Sequence, residues 1–83
     1  MMNRADILSK INEIFRRAFI DDSLIIKEET SAADVNGWDS LMQITLITTI
    51  EKEFKVQFSL DDVLKLKNVG DMLDLIQREV GNE

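Results

Sequence analysis

Apolar residues recur in three separate stretches of this sequence at the period of an α-helix, and that recurrence restricts the possible folds more than any other feature. In the first stretch, Ile7, Ile11, Ile14, Phe15 and Ala18 fall on one stripe of a helix running from about Arg4 to Phe19. Asn3 is placed to cap it, with Asp6 three residues on, and Glu13 and Arg17 are spaced to pair on its outer face. In the second, from about Ser40 to Lys55, Met42, Leu46, Ile47, Ile50 and Phe54 share one arc at ~100° per residue. Leu41, Thr45, Thr48, Thr49 and Lys52 lie opposite, and Ile44 lies at the edge. In the third, from about Val69 to Val80, the stripe is Val69, Met72, Leu73, Ile76 and Val80, with Asn68 as cap and Gly81 as stop.

The intervening segments complete the outline. "KVQF" breaks the second helical pattern, and Ser59 with Asp62 three residues on signals a short helix from about Leu60 to Leu64. Residues 20–38, "IDDSLIIKEETSAADVNGW", carry polar clusters and no sustained period. Leu24, Ile25 and Ile26 are expected to tuck part of this segment into the core. A connection of this length is either functional or holds a minor turn of helix. Asn36-Gly37 marks a turn, because glycine accepts positive φ at no steric cost. The expected fold is all-α: a four-helix bundle of three main helices and one short one, with a long loop between the first two. Residues 1–83 are expected to form a single domain.

Charge and composition exclude several functions. The net charge is −6, and its distribution is uneven: residues 1–19 carry +2 and residues 20–83 carry −8. Most of such a surface repels nucleic acid and attracts basic protein partners. No run of 18 apolar residues is present, so no membrane span is expected. Arg4 and Asp6 interrupt any basic-then-apolar leader pattern, and the chain has no Cys, so a cytoplasmic location is expected. With no His, neither a Ser-His-Asp triad nor a His-ligated metal can form within the chain, and no enzyme activity of its own is expected. Asp34 and Asn36 begin like a calcium loop, but Gly37 falls fourth rather than sixth and Thr45 stands at the twelfth position. Gly37, Gly70 and Gly81 are too far apart for a phosphate-cradling loop.

Ser40 is the residue that the patterning leaves open. Ser40 and Gln43 spell a capping box, S-x-x-Q, and a serine at a helix start is more often a cap than a site. Asp39 is itself a strong cap, however, and with Asp39 in that role Ser40 points outward at the first helical position. A helix N-terminus favours a phosphate there, through unpaired N–H groups and the positive end of the dipole. Leu41 beside it has no core role and has the character of a docking contact. Trp38 is expected to pack on the core rather than to touch a ligand.

"WDSLMQITLITTIEKEFKVQF" resembles the D-S-L segment of acyl carrier proteins, including peptidyl and aminoacyl carriers. The likeness covers nearly the whole chain: an N-terminal amphipathic helix, a long loop, a D-S-L helix ending in E-x-E-F, a short acidic helix, and a final helix beginning "VGDMLDLI". The resemblance implies a four-helix carrier bundle, a monomer, whose Ser40 accepts 4'-phosphopantetheine from coenzyme A through a phosphopantetheinyl transferase. Asp39 is then the flanking acid and helix cap. The arm's thiol carries acyl or aminoacyl groups as thioesters, so the sulfur that this chain lacks arrives with the cofactor. Further implied partners are an acyl- or aminoacyl-loading ligase and a downstream synthase or acyltransferase, as in fatty acid or polyketide biosynthesis. The implied docking face is Asp39, Leu41, Met42, Ile44, Thr45, Thr48, Glu51 and Lys52. Fatty-acid carriers commonly have acids where this chain has Met42, Thr45 and Lys52, an apolar residue at Thr48, and Ala at Trp38. Those departures imply partners in a specialised pathway. The alternative from a different class is a small helical adaptor without a prosthetic group, anchored through Leu41 and Ile44.

Overall fold

The computed structural model describes residues 3–81. It contains α1 (Arg4–Phe19), a 3-10 turn (Ala32–Asp34), α2 (Ser40–Phe54), α3 (Leu60–Leu64) and α4 (Val69–Val80), with no strand among the described residues. The helix boundaries follow from the caps. Asn3, Asp39, Ser59 and Asn68 each stand at an N-cap with extended backbone, and each side chain accepts the N–H of the residue three positions on. Such a cap contributes about 1 kcal/mol. Of the two readings open for so long a connection, functional or holding a minor turn of helix, the second is met by the 3-10 turn Ala32–Asp34. Among the described residues, no helix is long and apolar enough to cross a membrane.

Three faces meet in one core. Ile7, Ile11, Ile14 and Phe15 of α1 pack with Leu46, Ile47, Ile50 and Phe54 of α2 and with Val69, Met72, Leu73 and Ile76 of α4. Ala18, Met42 and Val80 are only partly buried at its margin. The long connection contributes Ile26, which is buried, and Leu24, which is half-buried, whereas Ile25 is 67% exposed. Neighbouring residues of a non-helical segment point to opposite sides, so three in a row cannot all enter the core. Leu75, off the expected stripe of α4, is buried as well; it shares a depression with Leu64 and Leu66 of the α3 region. Arg17 does not pair with Glu13 along its own helix but reaches Glu53 Oε1 of α2 at 3.1 Å.

The helix ends differ from the pattern that glycine would suggest. Gly81 closes α4 at φ −70°, an ordinary right-handed value. The left-handed closures fall instead on Ile20 (φ 51°) and Lys55 (φ 56°), the C-caps of α1 and α2. A β-branched side chain is poorly suited to that conformation. Ile20 is also 91% exposed and so has almost no packing to lose. Ile20→Gly is therefore expected to stabilise the fold by ~1 kcal/mol, read as a higher urea midpoint at unchanged slope. A lower midpoint would show that the isoleucine holds the chain in a way its exposure hides.

The long connection is fastened along its length. Asn12 of α1 treats Ile26 as a strand partner: its Oδ1 accepts the Ile26 N–H at 2.7 Å and its Nδ2 donates to the Ile26 carbonyl at 3.1 Å. Arg16 Nε donates to the Leu24 carbonyl at 2.7 Å. Farther on, the carbonyls of Thr30 and Glu28 accept the N–H groups of Val69 and Gly70 at 2.9 and 2.7 Å. The loop thereby satisfies the first two amides of α4, and Asn68 satisfies the third, that of Asp71. Arg4 ties the same region together, with a two-pronged pairing to Glu28 and a further contact to Asp74 Oδ1 at 2.7 Å. The guanidinium hydrogen bonds hold the Glu28 carboxyl below its ordinary range. The stabilisation from this pairing is present above the ordinary glutamate range and is lost as pH falls through the lowered value.

Candidate functional site

The segment entering α2 is shaped by a turn, a ring packed edge-on and a cap. Gly37 takes φ 87°, the left-handed value its turn requires. Trp38 then lies edge-on against buried Phe15, with ring centroids 5.1 Å apart and planes at 81°. Asp39 follows with extended backbone, and its Oδ1 accepts the Met42 N–H at 2.9 Å. Ser40 is the first residue of α2 and is exposed. The S-x-x-Q capping box suggested by the sequence does not form: Asp39 holds the cap, and Gln43 Oε1 accepts the Trp38 indole N–H at 2.6 Å. Sequence spacing offered the box because it registers only residues close along the chain. It cannot show that a ring folded back onto the helix will compete for the glutamine.

Beside Ser40 lies a groove of about 540 Å³ between the start of α2 and α3. Its walls are largely apolar and include Trp38, Ile44, Leu60, Val63, Leu64 and Met72, while Ser40 and Gln43 also line it. A phosphate ester with a flexible stem fits these residues on three counts. The hydroxyl is accessible and, among the described residues, makes no hydrogen bond of its own. The helix start carries backbone N–H groups without an intrahelical acceptor, and the positive end of its dipole favours a phosphate there. The groove next to it offers apolar cover to a stem of methyl and methylene groups. Among the described residues no cluster of carboxylates suited to a metal ion is found.

The residues of the expected docking face divide into two sets. Asp39, Leu41, Ile44, Thr45, Thr48 and Lys52 are exposed, with Leu41 at 73% and Ile44 at 64%. Met42 is half-buried and packs against the core. Glu51 is also half-buried, and its Oε2 accepts the Phe58 N–H at 3.0 Å, which pins the link between α2 and α3. Thr45 turns its hydroxyl back to the Leu41 carbonyl at 3.3 Å. Leu60 and Leu64 of α3 are exposed and share the groove with Ile44. Neither belongs to the docking face expected from the sequence. Their signal was the short length of α3, since one and a half turns cannot bury every leucine they carry.

The protein family described as the phosphopantetheine attachment site matches residues 5–76. An acyl carrier protein of Thermosynechococcus vestitus is 36% identical over 80 residues, covering 95% of this chain and 98% of the relative. An acyl carrier protein of Thermotoga maritima is 32% identical over 81 residues, covering 98% of this chain and all of the relative (100%). The solution structure of a holo acyl carrier protein from Geobacter metallireducens superimposes with a TM-score of 0.85 at 43% identity, covering 90% of this chain and 86% of that one. These likenesses favour a carrier over a prosthetic-group-free adaptor. A chain with this bundle, matched almost from end to end, belongs to the acyl carrier protein family, and it is a carrier of acyl groups on covalent phosphopantetheine rather than an enzyme.

Proposed function

We propose that Ser40 is the attachment point of the 4'-phosphopantetheine and that residues 1–83 work as one carrier domain. The observation that carries this reading is the division of labour at the start of α2. Asp39 takes the cap, so the Ser40 hydroxyl stands exposed with no structural task. When bound, the arm supplies a thiol that holds acyl or aminoacyl groups as thioesters, a chemistry unavailable to a chain without Cys. The chain's own residues do the rest. The amides at the start of α2 would hold the phosphate, and the groove walls would shield the stem.

The partners in this reading are a phosphopantetheinyl transferase, an acyl- or aminoacyl-loading ligase and a downstream synthase or acyltransferase, met in the cytoplasm where coenzyme A is available. They dock on Asp39, Leu41, Ile44, Thr45, Thr48 and Lys52, with Met42 and Glu51 supporting that face from within. Two exposed apolar side chains flanked by threonines suit brief contacts with several enzymes in turn. The uncommon residues of this face, Met42, Thr45, Thr48 and Lys52, support partners of a specialised pathway.

Intact mass tests the assignment. Incubation with coenzyme A, magnesium and a broad-specificity transferase is expected to add one phosphopantetheine, and Ser40→Ala is expected to add none. The same variant is expected to lose well under ~1 kcal/mol of stability, because the cap resides on Asp39. Attachment to Ser40→Ala, or no attachment to the parent chain, would refute the assignment.

A further inference from the structure

Ser40 and Gln43 stand three residues apart on α2 and so are neighbours on one side of the helix. Both line the groove between α2 and α3. Ile44, Val63, Leu64 and Met72 make much of that groove apolar, so a polar group within it has a decisive say in what lies there. The Gln43 amide is such a group, and its orientation is fixed. An indole N–H donates and has no capacity to accept. It meets Gln43 Oε1 at 2.6 Å, so the carbonyl end of the amide faces the ring and the NH₂ is turned away from it. The indole is itself held, edge-on to buried Phe15. Among the described residues the Gln43 NH₂ donates to nothing.

We infer that Gln43 is a binding residue for the prosthetic arm: its NH₂, oriented by Trp38, donates to an amide carbonyl of the phosphopantetheine and holds the arm against the α2–α3 groove. The inference rests on the attachment to Ser40 proposed above. The chemistries match along the stem, which alternates amide carbonyls with methyl and methylene groups, as the groove combines a donor with apolar walls. A single neutral hydrogen bond is a weak hold. Weakness suits an arm that must leave the groove for each partner enzyme. Trp38 acts here through Gln43 and is a positioning residue.

The test follows the side-chain amide by NMR while ¹⁵N-labelled chain is converted with coenzyme A and the transferase. One Gln43 NH₂ proton is expected to move downfield and to cross-relax with arm protons, while the Trp38 indole resonance stays in place. Gln43→Glu keeps an acceptor for the indole but has no donor. It is expected to retain the indole resonance and lose the cross-peaks between arm and groove. Gln43→Met, which adds no charge near the phosphate, is expected to lose the same cross-peaks. Trp38→Phe keeps a ring on Phe15 and frees the amide to turn, so the arm contact is expected to weaken without being abolished. An unmoved Gln43 NH₂ in a chain that has gained one phosphopantetheine overturns the inference, as does full retention of the cross-peaks in both Gln43 variants. A parent chain that gains no mass overturns the attachment and the inference together, so the mass spectrum tells the two failures apart.

Discussion

Phe15→Ala is expected to lower the unfolding free energy by roughly 3–5 kcal/mol, the largest single effect foreseen for this chain. Phe15 is fully buried on the inner face of α1. Its ring also meets Phe19 at 5.9 Å and Trp38 at 5.1 Å between centroids. Removing it leaves a cavity that the surrounding helices close only in part, and it strips Trp38 of the surface that orients it. A small domain has on the order of 5–15 kcal/mol in total, so the variant should approach the folding threshold. Urea unfolding followed by far-ultraviolet circular dichroism checks this without relying on the indole, whose environment changes directly. If the alanine variant does not fold, Phe15→Leu preserves most of the volume and should show a smaller loss in the same direction. A loss under ~1 kcal/mol for Phe15→Ala would contradict the burial on which the account of Trp38 depends.

Asn12→Ala carries the second large expectation, a loss of about 2 kcal/mol. The side chain of Asn12 serves both backbone groups of Ile26, and Ile26 is buried. Alanine withdraws both partners at once and leaves an N–H and a carbonyl poorly solvated. Such orphaned groups cost more than the bond they formerly made contributed. Hydrogen exchange locates the effect: the Ile26 amide should lose protection well before the amides in the middle of α2. Uniform loss of protection across the chain would instead mean that Asn12 stabilises the bundle globally and does not fasten the connection in particular.

Asn12 also shows where the sequence stops being informative. All four helices were legible because each begins at an Asn, Asp or Ser whose side chain can bind an amide three residues away, and each main helix carries an apolar stripe of helical period. Those are local signals. The fastening of the long connection is not local: Asn12 lies mid-helix, 14 residues from its partner, and Arg4 lies 24 from Glu28. Nothing in the spacing of either residue announces its role. The same limit explains Arg17, which passes over Glu13 for Glu53 on another helix. It explains Gln43 too, since the bond to Trp38 arises only when the loop folds the indole back over α2. At the candidate site, the exposed serine and its capping neighbour could be read from four letters. The groove beside them could not, because Leu60, Leu64 and Met72 reach it from α3 and α4.

The carbonyls of Glu28 and Thr30 close the start of α4, and this has a bearing on how the domain can be recombined with its relatives. A chimaera that imports only the final helix, or only the inter-helix connection, would join two surfaces never fitted to each other, even if every core position matched. The natural unit of exchange spans residues 27–30 together with the opening turn of α4, though some forty positions of chain lie between them.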